Sequence, residues 1–252
     1  MSFDVSADAY WRFIGRYSEK LAVELADDAG VEPGQRALDV GCGPGALTAV
    51  LAERLGPDHV AALDPSAQFV DAARSRLPGV DIRLASAESI PFDDDTFDIA
   101  LAELVVHFMS DPVAGLREMA RVTRPGGRIA ACVWDYGGDT GAVSSFWKVA
   151  RTLDPEIDDE SGLAGVGEGQ LPELFGQAGL RDIRSTALTV YEDFASFEEW
   201  WEPFTLGVGP AGAYVDGLSD DARAELKAAC AASLPDGPFT ITARAWAAVG
   251  TV

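Results

Sequence analysis

The sequence predicts an α/β fold built on a mostly parallel sheet with helices on both faces. Short β-branched or apolar runs alternate with stretches of helical period along most of the chain. Successive runs begin about 20–25 residues apart, the spacing of right-handed strand–helix–strand crossovers. With 252 residues, 48% hydrophobic and 24% charged, the chain can bury a core for one such domain with an elaboration, and it is no disordered tail.

Residues 9–29 read as one or two helices, ended by Gly30 and the Pro33-Gly34 turn. Residues 36–40 form a first strand, and residues 47–55 a helix closed by Gly56-Pro57. A second strand spans 59–63, and Ser66 caps a helix over 66–77 that Pro78-Gly79 stops. Residues 81–84 make a short third strand, and 97–102 a fourth after the turn of Asp93 to Thr96. A helix over 113–123, a turn at Pro125-Gly126-Gly127 and a fifth strand over 128–134 follow. Beyond Trp134 the pattern loosens into a loop at 136–141, a helix at 144–152 and a Gly- and acid-rich connection at 154–169. A helix at 171–177 with Gly179 at its end leads to a strand at 183–191. Residues 194–236 insert an aromatic helical stretch and an acidic helix before the closing strand at 239–249.

Nineteen Lys and Arg against 41 Asp and Glu leave a formal charge of −22, which would repel a nucleic-acid backbone and an anionic membrane surface. The densest basic cluster is four arginines between Arg117 and Arg128, too dilute to reverse that field. Cys42, Cys132 and Cys230 form no CxxC pair and suit neither a disulfide framework nor a zinc site. The N-terminal MSFDVSADAYWRF lacks the features of a secretory leader, and no apolar run has the roughly 20 residues of a membrane helix, so a cytoplasmic protein is expected.

The segment ALDVGCGPGALT, residues 37–48, runs from a strand through Gly41, Gly43 and Gly45 into a helix. Such a loop brings backbone close to a ligand and aims helix N-terminal amides at it. Gly41, Gly43 and Ala46 also satisfy the dinucleotide pattern, so a nicotinamide-dependent oxidoreductase is one reading. Against it, Asp39 precedes the first glycine by two residues, a poor neighbour for a pyrophosphate and a good one for a cation, unless it is merely a capping carboxylate. Asp64 ends the second strand, where a carboxylate receives the two ribose hydroxyls of either nucleotide class.

Residues 37–48, Asp64, the SAESIPF–FD segment over 86–98 and RPGGR over 124–128 together resemble the class I, Rossmann-like S-adenosylmethionine-dependent methyltransferases. IGRYS (14–18), WWEPF (200–204) and FTITARAW (239–246) resemble a bacterial, small-molecule-type branch whose acceptors are mostly unassigned. The resemblance implies a seven-stranded sheet with a reversed last strand and a single methyltransferase domain over 1–252. Within it, residues 1–30 are a helical cover and 31–135 the cofactor-binding core. Residues 136–193 and 237–252 are the remaining core, and 194–236 a cap insertion.

It also implies a map of the cofactor, S-adenosyl-L-methionine, whose product is S-adenosyl-L-homocysteine. Gly41, Cys42 and Gly43 would pack on its methionine and ribose portion, with Asp39 beside them, Asp64 on the ribose and Pro65 on the adenine. Ser86, Ala87 and Glu88 stand where the family has an Asp-Ala-Glu run holding the adenine. Ser86 replaces the Asp, which shifts the expectation to the Ala87 backbone amide. Ala102 and Glu103 fall where the family receives the methionine ammonium. Arg16 and Tyr17 would reach over the cofactor, Arg16 pairing with its carboxylate, with helix packing or surface exposure as the alternative.

Displacement at a sulfonium needs a general base only when the acceptor must lose a proton. His107 follows the fourth strand on the ligand side of the sheet and is the candidate catalytic residue, with a pocket-wall role as its alternative; His59 is expected to be structural. Tyr10, Trp11, Phe13, Trp134, Tyr136, Phe146, Trp147, Trp200, Trp201 and Phe204 either line an acceptor cavity under the cap or fill the core. The acid runs at 93–95 and 158–160 read as solvated turns, so no metal is expected. A methyltransferase acting on a small molecule is the leading reading, and a non-catalytic module binding the same cofactor is the other rival. No motif names the acceptor or the oligomeric state.

Overall fold

The computed structural model describes residues 5–252, so the first four residues of the expected helical cover, which also begin the stretch expected not to be a secretory leader, lie outside it. The chain starts with one helical run: α1 (Ala7–Tyr10), a π-helical turn over Trp11–Gly15, and α2 (Arg16–Asp28). Ser6 caps it by accepting from the Ala9 amide at 3.2 Å. Leu21, Leu25 and Ala22 of α2 are fully buried, one apolar stripe of an amphipathic helix.

The core alternates β1 (Ala37–Val40), α3 (Ala46–Leu55), β2 (Val60–Asp64), α4 (Ala67–Arg76), β3 (Asp81–Leu84), β4 (Phe97–Glu103), α5 (Pro112–Val122) and β5 (Thr123–Trp134). It continues with α6 (Ser144–Leu153), α7 (Gln170–Ala178) and β6 (Arg181–Phe194). Three further helices, α8 (Phe197–Trp201), α9 (Gly209–Gly217) and α10 (Asp220–Ser233), precede β7 (Phe239–Thr251). The seven strands lie in the order β3-β2-β1-β4-β5-β7-β6, with β7 antiparallel to both neighbours, as the resemblance implied. Along β1 the side chains alternate faces: Ala37 joins the core packed by α2 and α3, Leu38 and Val40 the core packed by α5 and α7.

One element departs from expectation. Residues 125–127 lie within β5, not in a turn before it: Thr123 pairs with Phe97, and the next paired residues are Arg128 with Ile99. The extra residues form an irregularity whose left-handed φ of +78° falls on Gly126, where no Cβ resists it.

The reversed strand decides where the insertion emerges. β7 pairs with β5 so that Trp134 meets Ala245, and with β6 so that Phe194 meets Phe239. Residues 195–238 therefore leave and re-enter the sheet at the end where the parallel strands terminate, the end at which open α/β sheets bind ligands. Aromatic packing holds this segment down. Phe204 stacks on Phe146 of α6 at 4.6 Å and meets Phe13 edge-on at 4.9 Å.

Candidate active site

The C-terminal ends of β1, β2, β4 and β5 open into a cavity of about 720 Å³, within the size range of small-ligand sites. Gly41, φ +74°, lets the chain turn off β1; a Cβ there would lie 2.5 Å from a Val105 methyl. Asp64 ties this loop to the next strand. Its Oδ2 accepts from the Gly43 amide at 2.9 Å and its Oδ1 from the Ser66 amide at 2.8 Å. A carboxylate has about four lone-pair positions, so these amides leave two unfilled on a residue that lines the cavity. Burial raises the Asp64 pKa, and the two amides oppose the rise.

β4 ends at Glu103, and Leu104 takes a left-handed φ of +60°. That bend starts the short helical turn Val106–Phe108 and delivers His107 to the wall. Glu103 Oε1 is buried without a partner, and burial, reinforced by Asp39, pushes its pKa well up. His107 Nδ1 is likewise unpartnered, and burial pushes the imidazole pKa down to about 3, so the ring is neutral at pH 7. Glu88 Oε1 accepts from the Ser110 amide at 2.8 Å and latches the loop that carries His107.

Of the expected residues, Gly41, Gly43, Asp64, Pro65, Ser86, Ala87, Glu88, Glu103 and His107 line this cavity. Five do not. Asp39 is buried beneath the loop, accepting from Thr48 Oγ1 at 2.6 Å, and burial pushes its pKa up to about 7. It braces the glycine turn from behind. Cys42 and Ala102 are buried in the core. Tyr17 packs edge-on against Trp134 at 6.0 Å, behind the wall. Arg16 is turned away: its Nε donates to Glu192 at 2.7 Å, an Nη to Glu199 at 2.9 Å, and its guanidinium lies 4.4 Å from the Phe194 ring centroid. Six residues earlier on the same helical run, on a different face, Tyr10 comes over the glycine loop instead, within 3.9 Å of where a Gly43 Cβ would stand.

Glu160 corrects the reading of 158–160 as a solvated run. Asp158 is exposed, whereas Glu160 is 4% exposed and lines the cavity. Trp147 Nε1 donates to its Oε2 at 2.8 Å and Tyr136 is a second hydrogen-bond partner, while burial lifts its pKa to about 7. The spacing of acids along a loop carries no sign of which one the chain turns inward. Trp134 and Tyr136 line the cavity, whereas Phe146, Trp200, Trp201 and Phe204 fill the core behind it. His59 is exposed. Among the described residues no group of His, Cys, Asp and Glu is arranged to hold a metal, and no helix is long and apolar enough to cross a membrane.

Comparison with known proteins points the same way. Residues 38–131 match a family model described as a methyltransferase domain. An uncharacterized methyltransferase of Mycobacterium tuberculosis is 44% identical over 101 residues, 40% of this chain and 40% of that protein. The malonyl-[acyl-carrier protein] O-methyltransferase of Serratia marcescens is 36% identical over 129 residues, 49% of this chain and 50% of that protein. The chain thus spans about half the length, or less, of these curated relatives. The structure of a geranyl diphosphate C-methyltransferase from Streptomyces coelicolor superposes with a TM-score of 0.56 at 16% identity, covering 94% of this chain and 80% of that one. The [4+2]-cyclase SpnF superposes with a TM-score of 0.55 at 25% identity, covering 92% and 80%. Sequence, topology and these likenesses converge: residues 38–131 match a methyltransferase domain, set in a fold that the solved methyltransferase structures share.

Proposed function

We propose that the chain is an S-adenosylmethionine-dependent methyltransferase acting on a small organic acceptor held in the 720 Å³ cavity. One observation carries the reading. The loop side of the cavity presents Asp64, with two free lone-pair positions, and the unpartnered Glu103 Oε1, and among the described residues no Lys or Arg lines the cavity. Such a site suits a ligand with a ribose and positive charge and no phosphate; a nicotinamide dinucleotide would bring its pyrophosphate against these carboxylates.

The residues fit S-adenosylmethionine group by group. Asp64 takes the ribose hydroxyls, Pro65 and the Ala87 backbone flank the adenine, and Glu103 takes the ammonium. Tyr10 replaces Arg16 as the donor toward the carboxylate. Burial and the nearby Glu103 raise the Tyr10 pKa, so its hydroxyl keeps its proton. The cofactor, when bound, supplies a methyl group already activated on a sulfonium. Positioning and water exclusion are then the tasks left to the protein. We read the segment 194–236 as the cap that excludes water, because its Val208 and Ala211 close the cavity and its aromatics anchor it to α6. A pKa near 3 makes His107 a weak base, and we assign it the role of a hydrogen-bond acceptor in the wall. We assign the chain a cytoplasmic place, and its formal charge of −22 supports our reading that it has no nucleic-acid partner.

Calorimetric titration with S-adenosylmethionine, S-adenosylhomocysteine and NAD tests this. The first two are expected to bind and NAD is not. Asp64→Ala is expected to weaken S-adenosylhomocysteine by roughly 1.5–3 kcal/mol, the size of charge-assisted hydrogen bonds. Binding of NAD alone, or an unchanged affinity in the variant, would overturn the assignment.

A further inference from the structure

Beyond the glycine loop and the strand ends, the cavity is lined by Phe13, Trp134, Tyr136, Val143, Val208 and Ala211, and Glu160 is the acidic side chain that joins them. Glu160 reaches it from the connection between α6 and α7, far in sequence from the cofactor motifs. Its carboxylate is oriented by the Trp147 indole at 2.8 Å and by the Tyr136 hydroxyl, which together meet about half of its hydrogen-bonding capacity. No arginine neutralises it. The nearby Arg151 is bound by Asp139 and Asp159, leaving Glu160 with neutral partners.

The charge of the whole lining points in one direction. Asp64, Glu88, Glu103 and Glu160 contribute four carboxyl groups, His107 is neutral, and among the described residues no Lys or Arg contributes. A carboxylate or phosphate on the acceptor would be stripped of water with no countercharge, a strongly unfavourable transfer. A hydrogen-bond donor meets the open lone pairs of Glu160, and a cationic donor gains further from the field and the aromatic walls.

We propose that Glu160, held by Trp147 and Tyr136, is the acceptor-binding group of the cavity. It selects an apolar, uncharged or cationic molecule that presents an amine or hydroxyl hydrogen, and rejects anionic acceptors. The proposal rests on the reading that the glycine-loop half takes S-adenosylmethionine. Burial pushes the Glu160 pKa up to about 7, so near neutral pH the group is about half ionised, and a bound cationic donor would favour its carboxylate form.

The test is titration of the full chain, saturated with S-adenosylhomocysteine, with three probes of one shape: phenethylamine, 4-ethylphenol and 3-phenylpropionate. Tryptophan fluorescence reads binding through Trp134 and Trp147. The amine and the phenol are expected to bind, and the carboxylate at least about tenfold more weakly. The ratio of amine to phenol tells a cationic acceptor from a neutral one. Glu160→Gln is expected to lower amine affinity by about tenfold or more and to leave S-adenosylhomocysteine affinity within about twofold. That second affinity also reports whether the variant is folded. If it is not, Glu160→Asp keeps the charge and withdraws it by one methylene, with a threefold or larger fall in amine affinity expected, roughly 0.7 kcal/mol. Equal binding of the carboxylate, failure of both amine and phenol to bind, or unchanged probe affinities in the folded variants overturns the proposal and leaves the cofactor reading standing. Failure of S-adenosylhomocysteine to bind the unaltered chain overturns both.

Discussion

Gly41, Gly43 and Asp64 reach the cavity within three residues of the strand ends that position them. Tyr136, Glu160 and Val208 reach it from the loosely patterned connections after β5. The glycine-loop half is thus a product of local geometry: backbone left-handed at Gly41, one carboxylate bonded to two amides, a strand end on each side. The other half is assembled from segments up to about two hundred positions apart, from Phe13 to Ala211, held by aromatic packing. A half built locally should resist loss of distant packing, and a half built by packing should fail first when an anchor is removed.

Phe204 is that anchor, 2% exposed, stacked on Phe146 and touching Phe13 and Trp200. Phe204→Ala is expected to cost about 3–5 kcal/mol, as large-to-small changes at buried aromatics do. If the two halves are separable, hydrogen exchange will show that cost in residues 195–238 while S-adenosylhomocysteine still binds. Uniform loss of protection across the sheet would mean that the packing is shared. The reciprocal change is Gly41→Ala. It forces a left-handed φ on an L side chain and sets a Cβ 2.5 Å from Val105, together roughly 2–4 kcal/mol. Denaturation should show part of that cost, and cofactor affinity should fall while the probes of the opposite half are little affected.

The same contrast explains what could be read in advance. Around the glycine loop, strand, turn and cap residues are neighbours in the chain, and the expected strand at 81–84 and the Ser66 cap stand where they were placed. Farther along, the rules that work locally lose purchase. α9, GPAGAYVDG, has poor helix formers and is held by the burial of Ala211 and Val215. Glu160 shares its run with an exposed neighbour, and only the tertiary position of the Trp147 indole makes it different. Arg16 and Tyr10 lie on one helical run whose periodicity does not say which face meets the ligand.

Two acids have a pKa that burial lifts to about 7: Asp39, from 3.8, beneath the glycine loop beside Thr48 and Asp64, and Glu160, from 4.5, in the cavity wall beside Trp147, Tyr136 and Asp159. A folded-state pKa above the unfolded value means that the native state binds the extra proton. Its stabilising effect is complete below about pH 4 and is lost as pH rises through 7. Between pH 5 and 8, denaturant titrations should therefore show a fall in stability. Asp39→Asn and Glu160→Gln should each flatten that fall by an amount on the order of 1–3 kcal/mol. Parallel pH profiles for the variants and the unaltered chain would show that neither acid takes up that proton. If Glu160→Gln flattens the profile only in the absence of an amine probe, the carboxylate is the group the probe engages.

The smallest expected effect bears on where the two halves are joined. Arg16 links α2 to Glu192 at the end of β6 and to Glu199 in α8, with Phe194 against its guanidinium. Its side chain is 23% exposed and both partners lie outside the cavity, so its work is to hold the cover onto the inserted helices. Arg16→Gln should cost about 1 kcal/mol or less, a partly screened pair with some packing. Because Tyr10 lines the cavity and Arg16 does not, S-adenosylhomocysteine affinity should stay within about twofold, well under 1 kcal/mol. A tenfold loss in calorimetry, without loss of fold, would bring Arg16 back to the cofactor carboxylate, and would require the helical run to rotate on binding. Tyr10→Phe distinguishes the two arrangements, since removing the phenol should weaken the ligand only if that hydroxyl, which now faces Ser18 Oγ at 3.1 Å, is the donor.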